Sequence, residues 1–135
     1  PDMPLVYTGQ EAGNNKRLSF FEKDIVDWKE HPMFNIYSKL LQLKKVNKAL
    51  WNGIEGGEMI YAECSDNKSV LAFTRSNNED KIFAVFNLTN NTAEVDISGE
   101  NMQGSFRNYF SGKLETFSER ESFKLNPWEY RLYIR

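Results

Sequence analysis

The sequence predicts a mainly β fold, an antiparallel Greek-key β-sandwich, which one strand, a long loop and one helix precede. After Gly56 and Gly57, short strand-like segments alternate with turn clusters rich in Asn, Ser, Asp and Gly, as in a sandwich. Before them, an apolar segment and a polar stretch of about twenty residues lead into an amphipathic helix. The two patterns divide the chain into residues 1–56 and residues 57–135.

Composition and charge exclude several classes of protein. The 135 residues carry 17 Lys and Arg against 19 Asp and Glu, whereas a nucleic-acid-binding protein needs an excess of cations. The longest apolar run, Ile82–Phe86, is far shorter than the ~20 residues of a membrane helix. One Cys and one His exclude a disulfide framework and a zinc site that needs several such ligands. We therefore expect neither a nucleic acid nor a membrane as partner, and the sequence indicates no particular compartment.

Leu5–Thr8, closed by Gly9, is predicted to be a strand. A short apolar run of this kind is typical of a strand buried on both faces, as in a parallel sheet. Parallel strands need crossover helices and neighbouring strands, and no further strand–helix alternation follows. We therefore expect this strand to belong to an α/β domain whose earlier strands lie elsewhere. The polar segment Gln10–His31 then forms a long loop, and loops of this length are often functional.

A helix is predicted over Phe34–Leu50, because apolar residues recur there at helical spacing. Lys44, Lys45 and Lys48 fall near its C-terminal end, where cations are favoured by the helix dipole.

Seven strands are predicted in the second part of the chain. They are Met59–Cys64, Ser69–Arg75, Lys81–Leu88, Thr92–Ile97, Ser105–Phe110, Lys113–Phe117 and Glu129–Arg135. Ile82–Phe86 is apolar on both faces and is expected to be central. In the last strand, Leu132 and Ile134 alternate with Arg131 and Tyr133, which predicts that the second pair faces solvent.

The first residues resemble a motif of the α-amylase family of glycoside hydrolases. In that family a Gly-x-Pro-x-x-Tyr-x-Gly-x-Glu stretch forms the last strand of a (β/α)8 barrel and the turn after it. Pro4, Tyr7, Gly9 and Glu11 match this stretch, while Asp2 stands where the family usually has Gly.

The resemblance continues along the chain in the family's order. The segment up to Trp28 is similar to the loop after the last barrel strand, and Tyr37–Leu50 resembles the final barrel helix. The strands over Val70–Arg75 and Lys81–Thr89, with the turn Asn126–Glu129, resemble the C-terminal β-domain. The resemblance therefore implies that residues 1–56 are the C-terminal remnant of a catalytic barrel and residues 57–135 a C-terminal β-sandwich domain.

The resemblance also implies a function: cleavage of α-glucosidic bonds in α-glucans by a retaining mechanism. The family uses an Asp nucleophile, a Glu acid/base and a second Asp, all on earlier barrel strands and so upstream of this chain. This chain alone is therefore predicted to be inactive. The implied partners are the rest of the barrel and an α-glucan or maltooligosaccharide. No cofactor is expected in this chain, and calcium in the parent enzyme is left open.

Asn14, Asn15, Lys16 and Arg17 are the candidate substrate-binding residues. Their amide, ammonium and guanidinium groups can donate hydrogen bonds to sugar hydroxyls. The loop after a barrel strand borders the site, and some members of the family place an Arg from this loop in a donor-side subsite. A solvent-exposed loop with a structural Arg accounts for the same residues equally well. No catalytic or metal-binding residue is predicted in the chain.

The carboxylates of the loop are interpreted as structural. Glu22, Asp24 and Asp27 lie close together in sequence, and we expect them to be solvated with Lys23 and Lys29 as ion-pair partners. The two residues of the amylase-like motif that end the first strand also receive structural roles. We expect the Glu at position 11 to bind backbone groups and the Tyr at position 7 to point into the barrel core or towards its mouth.

The aromatic residues, 14% of the chain, allow two interpretations. Trp28, Trp51 and Trp128 can stack on sugar rings, or they can pack in the seam between barrel and sandwich. Three Asn-x-Ser/Thr triplets, at Asn67, Asn87 and Asn90, are interpreted as turns. Two other functions therefore stay open: a free-standing carbohydrate-binding module, and a structural β-sandwich without a ligand.

Overall fold

The computed structural model describes residues 3–135, which form two compact units, residues 3–46 and residues 47–135. The division falls ten residues before the predicted boundary after Gly56, because residues 47–56 contact the β-rich unit. The Gly57 N–H donates to the Ala49 carbonyl at 2.9 Å, and the Lys48 N–H donates to Asp80 Oδ2 at 2.7 Å. No helix within the described residues has the length and apolar character needed to span a membrane.

The first unit consists of irregular chain, one short 3-10 helix and one α-helix. The 3-10 helix Gln10–Ala12 lies between Gly9 and Gly13, which both have positive φ angles, 86° and 69°. The helix α1 spans Pro32–Val46 and carries Lys44 and Lys45 in its last turn. It begins two residues before the predicted start and ends four before the predicted end.

The predicted strand over Leu5–Thr8 does not form: within residues 3–135, neither sheet includes it. Leu5 is 82% exposed, and Tyr7, predicted to enter a core layer or to point at the barrel mouth, is 56% exposed. A strand exists only if a neighbour pairs with its N–H and C=O groups. This chain offers no parallel neighbour in the part that the structure describes, so the segment stays irregular.

The second unit is an antiparallel β-sandwich of nine strands. They are β1 (Glu58–Tyr61), β2 (Glu63–Cys64), β3 (Val70–Ser76), β4 (Lys81–Asn87), β5 (Ala93–Ser98), β6 (Gly104–Asn108), β7 (Leu114–Phe117), β8 (Arg120–Leu125) and β9 (Tyr130–Ile134). One sheet has the order β1-β3-β4-β9-β6-β7 and the other β2-β5-β8. The paired strands β4 and β9 are distant in sequence, so connections cross between the sheets, and the predicted mainly antiparallel sandwich is confirmed.

Two strands differ from the prediction. Met59–Cys64 was expected to be one strand, but it changes sheets at Ala62 and forms both β1 and β2. Strand β8 was not predicted, because four of its six residues are polar and only Phe123 and Leu125 are apolar. Those two residues are buried and its register with β5 pairs Phe123 with Val95.

The core between the sheets is built around Phe83, which is fully buried. Its ring lies 5.5–6.3 Å from four other aromatic rings, those of Phe106, Phe117, Phe123 and Tyr133. Aromatic pairs at such distances add about 0.5–1.5 kcal/mol each beyond the area that they bury.

The predicted orientation of the last strand is wrong at Tyr133. It is fully buried in the core, opposite Phe83 in the register of β4 and β9, and does not face solvent. The alternation was assigned to the wrong face because the neighbouring strand β4 is buried on both faces. Ile82 and Ala84 are also buried, although they lie on the face opposite to Phe83. A period-two pattern identifies the solvent side only where one face is wet.

Candidate functional site

The predicted substrate-binding residues lie in the loop that follows the Gln10–Ala12 helix. The Asn14 N–H donates to the Gly9 carbonyl at 2.9 Å, and its Oδ1 accepts from the Lys16 N–H at 3.4 Å. Asn14 is half-buried and engaged in the turn, whereas Asn15, Lys16 and Arg17 are exposed.

Lys16 is held by Asp24, eight residues further along the loop. Its Nζ lies 2.6 Å from Asp24 Oδ1, which also accepts from the Ile25 N–H at 2.8 Å. Asp24 Oδ2 accepts from the Ser19 N–H at 3.0 Å. The hydrogen bond from Lys16, and then those from the backbone, lower the pKa of Asp24 to about 2. The carboxylate thus closes the loop, and Lys16, predicted as a sugar ligand, is its ion-pair partner.

The closed loop carries two aromatic rings at its tip. Phe20 and Phe21 are 87% and 94% exposed, and their ring centroids lie 4.7 Å apart in an edge-to-face arrangement. Asp27 Oδ2 lies 3.8 Å from Lys29 Nζ, the ion-pair partner that was predicted for this loop. The expected partner Lys23 is replaced by Lys16, because Lys16 faces Asp24 across the closed loop.

A cleft of about 940 Å³ lies in the first unit, between the 3-10 helix and the start of α1. Glu11, Trp28, His31 and Phe34 contribute to its lining. The Oε2 atom of Glu11 is buried without a hydrogen-bond partner among residues 3–135, so the predicted backbone bond does not form at this atom. Unpaired buried carboxylate oxygens are uncommon, because burial removes their hydration.

The only histidine of the chain is packed tightly beside this cleft. His31 Nδ1 accepts from the Met33 N–H at 3.3 Å. A Cβ atom added to Gly13 would lie 2.6 Å from His31 Nε2, closer than real contacts allow. The ring therefore rests on the bare backbone of a residue that must be glycine.

The three tryptophans are all partly exposed, at 62% for Trp28, 38% for Trp51 and 64% for Trp128. Trp128 has a positive φ of 58°, which is rare for a bulky residue. For these rings sugar stacking and packing were both predicted, and both interpretations stay predictions. The loop-closing role of Asp24 was not predicted, because its only signal is a carboxylate near two Lys and a Ser in a polar loop.

No group of three or more His, Cys, Asp or Glu side chains among residues 3–135 is arranged to hold a metal ion. The Asn-x-Thr triplet at Asn87 is a turn, as interpreted. Asn87 is buried, its Nδ2 donates to the Asn91 and Asn126 carbonyls, and its Oδ1 accepts from Thr89.

Comparisons with known proteins relate this chain to amylases and oligo-1,6-glucosidases. Residues 64–132, more than half of the 135-residue chain, match the family model described as Maltogenic Amylase, C-terminal domain. The oligo-1,6-glucosidase IMA5 of Saccharomyces cerevisiae is 29% identical over 105 residues, which is 78% of this chain and 17% of that protein. Its relative IMA3 is 26% identical over 102 residues, with 76% and 16% covered.

The fold matches solved amylases. The noncanonic maltogenic α-amylase AmyB of Thermotoga neapolitana superposes with a TM-score of 0.79 at 20% identity, over 98% of this chain and 32% of that one. An Anoxybacillus α-amylase gives a TM-score of 0.63 at 18% identity, over 81% and 24%. The chain therefore spans about a sixth of the curated relatives and less than a third of these structures.

A loop-and-helix segment followed by this β-sandwich defines the C-terminal part of an α-amylase-family glycoside hydrolase. The chain belongs to the maltogenic amylase C-terminal domain family.

Proposed function

We propose that this chain is the C-terminal part of a retaining glycoside hydrolase that cleaves α-glucosidic bonds in α-glucans. The observation that carries this proposal is the family match over residues 64–132. The yeast relatives are named oligo-1,6-glucosidases, and one structural neighbour was solved with maltotriose bound. An α-glucan or maltooligosaccharide is therefore the proposed substrate of the longer protein.

In this proposal the chemistry takes place outside the chain. Retention needs a nucleophilic carboxylate and an acid/base about 5 Å apart across the scissile bond. Two carboxylates of the described loop lie in ion pairs, Asp24 with Lys16 and Asp27 with Lys29. The rest of the barrel is thus the proposed source of the catalytic groups, and the 135-residue chain alone is expected to be inactive.

The contribution of this chain is to position substrate contacts. The bonds from Lys16, Ser19 and Ile25 to Asp24 fix the loop in one conformation. A pre-ordered loop loses little entropy when a ligand binds. Arg17 and Asn15, exposed beside this closure, are the residues that we propose donate to sugar hydroxyls, with Asn14 holding the turn beneath them.

Calcium, where the parent enzyme uses it, is proposed to bind outside this chain. Ca²⁺ takes six to eight oxygen ligands, usually with several carboxylates. Residues 3–135 do not gather three such side chains.

The test is to express the full reading frame that contains this chain and to assay the purified protein on maltooligosaccharides. We expect hydrolysis, with the α-anomer released first in ¹H NMR spectra, and no hydrolysis by residues 1–135 alone. A reading frame without a barrel, a β-anomer product or activity of the isolated 135-residue chain would each overturn the proposal.

A further inference from the structure

A groove of about 620 Å³ opens in the β-sandwich where strands β6 and β9 separate. The two strands pair at Arg107↔Ile134 and Asn108↔Tyr133, and the Tyr109 N–H donates to the Leu132 carbonyl at 2.7 Å. Beyond this point the β6–β7 turn and the start of β9 form opposite walls. A volume of this size is within the range of small-ligand sites.

An aromatic ring lines the groove in a fixed orientation. Tyr130 is 40% exposed, and the ring of Phe110 packs edge-on against it, with centroids 5.3 Å apart at an angle of 75°. A tyrosine ring has an apolar face and a polar hydroxyl, so it suits ligands that alternate C–H faces with hydroxyl groups. Sugars have this alternation.

The charged side chains of the groove are held in place before any ligand arrives. Glu129 Oε1 accepts from Arg131 Nε at 2.8 Å, and Glu129 Oε2 accepts from the Asn126 N–H at 2.8 Å. Arg131 Nη2 also donates to the Lys124 carbonyl at 2.6 Å. Side chains that are already ordered lower the entropic cost of binding.

A buried tyrosine supports the wall of the same groove. Tyr133 is fully buried as a residue, yet it lines the groove and its hydroxyl donates to Glu115 Oε2 at 3.4 Å. Hydrogen bonds between a hydroxyl and a carboxylate oxygen are usually shorter than about 3 Å. The contact is long, and Glu115, which is half-buried, is the group of this pair that a ligand can reach.

The charges of the groove cancel. Its two carboxylates, Glu115 and Glu129, are matched by Lys113 and Arg131. A balanced set of donors and acceptors beside an aromatic ring favours a neutral polyhydroxylated ligand over an anion or a cation. We infer that this groove binds a segment of α-glucan chain as a non-catalytic site. The choice of an α-glucan rests on the proposed function.

The test is an NMR titration of the 135-residue chain, labelled with ¹⁵N, with maltoheptaose up to about 10 mM. We expect shifts at the amides of residues 110–115 and 129–133. Tyr130→Ala should weaken binding by about tenfold or more, because it removes the stacking face. Glu115→Gln keeps the shape and should weaken binding several-fold, as the hydroxyl contacts lose a charged acceptor.

The matched control is Tyr61→Ala, which removes another exposed tyrosine, on the edge strand β1, and should leave the affinity unchanged. Equal binding of cellohexaose, shifts centred on another surface, or no shift at these amides would overturn the inference. The parent enzyme's hydrolytic activity is measured separately, so it can succeed or fail independently of this titration.

Discussion

The buried guanidinium of Arg75 donates from Nη2 to the carbonyl oxygen of Trp51 at 3.1 Å. Its Nε donates to the Gly57 carbonyl at 3.0 Å, so one side chain of β3 fixes both ends of the segment 51–57. Gly57 fits against Ser76 because it has no side chain, since a Cβ there would lie 2.6 Å from the Ser76 carbonyl oxygen. Residues 47–57 are thus built into the β-rich unit.

The first prediction concerns the domain boundary. Residues 47–135 should unfold cooperatively, whereas residues 57–135 should be less stable by about 3 kcal/mol, because several hydrogen bonds to buried groups are lost. Urea unfolding monitored by circular dichroism compares the two fragments. Equal stabilities would place the boundary after Gly56, as the sequence predicts.

The second prediction concerns Arg75 itself. Arg75→Met should lower the free energy of unfolding by about 2–4 kcal/mol, because it removes the donor of the hydrogen bonds to the Trp51 and Gly57 carbonyls. Urea unfolding of the 135-residue chain measures the effect. Arg17→Met, the same change at an exposed position, serves as control and should stay within about 0.5 kcal/mol. Similar values for both variants would contradict the role of Arg75.

The third prediction concerns the turn held by Asn87. Asn87→Ala should cost about 3 kcal/mol, because the carbonyls of Asn91 and Asn126 lose a buried donor. Asn90→Ala, in the same turn but exposed, should change stability by less than about 0.5 kcal/mol. Thermal unfolding of the two variants side by side decides; an unaffected Asn87 variant would show that the turn does not depend on the amide.

The fourth prediction concerns pH. The folded pKa of Asp24, about 2, lies below its ordinary value of 3.8, so the closure of the loop is complete above 3.8 and is lost as the pH falls through about 2. Carboxyl ¹³C NMR should give a midpoint near 2. Asp24→Asn should speed amide exchange at Ser19 and Ile25, while Asp27→Asn should not. Titration of Asp24 near pH 4 would contradict the closure.

The fifth prediction concerns substrate contact in the full-length enzyme. Arg17→Ala should lower kcat/KM for maltooligosaccharides by about tenfold, the effect of losing one charged hydrogen bond to a substrate hydroxyl. Lys23→Ala, an exposed cation of the same loop, is the control and should leave kcat/KM unchanged. If both variants behave alike, Arg17 has only a structural role.

The sandwich could be predicted because its strands carry their own signals. Ala93, Val95 and Ile97 alternate with polar residues, and all three are buried in β5 as the pattern requires. Strand β8 was not predicted, because Phe123 and Leu125 are its only apolar residues. Its existence is decided by pairing with β5, which a single sequence does not reveal.

The loop and the groove were harder to predict, since their parts come from separate segments. Nothing local marks Asp24 as the partner of Lys16 rather than of Lys23. Likewise Glu115 and Tyr133 meet only after β6, β7 and β9 have assembled. For Leu5–Thr8 the prediction failed in the other direction. The segment has the composition of a strand, but it does not form one, because pairing partners decide its conformation.

The imidazole that rests on Gly13 has a practical use. Because the chain contains a single histidine, the C2 proton of His31 gives one isolated resonance in an unlabelled spectrum. A ligand or polypeptide that binds in this cleft meets a lining that includes His31, so this resonance should shift. A reporter of occupancy is therefore already present in the native sequence, without any engineered probe.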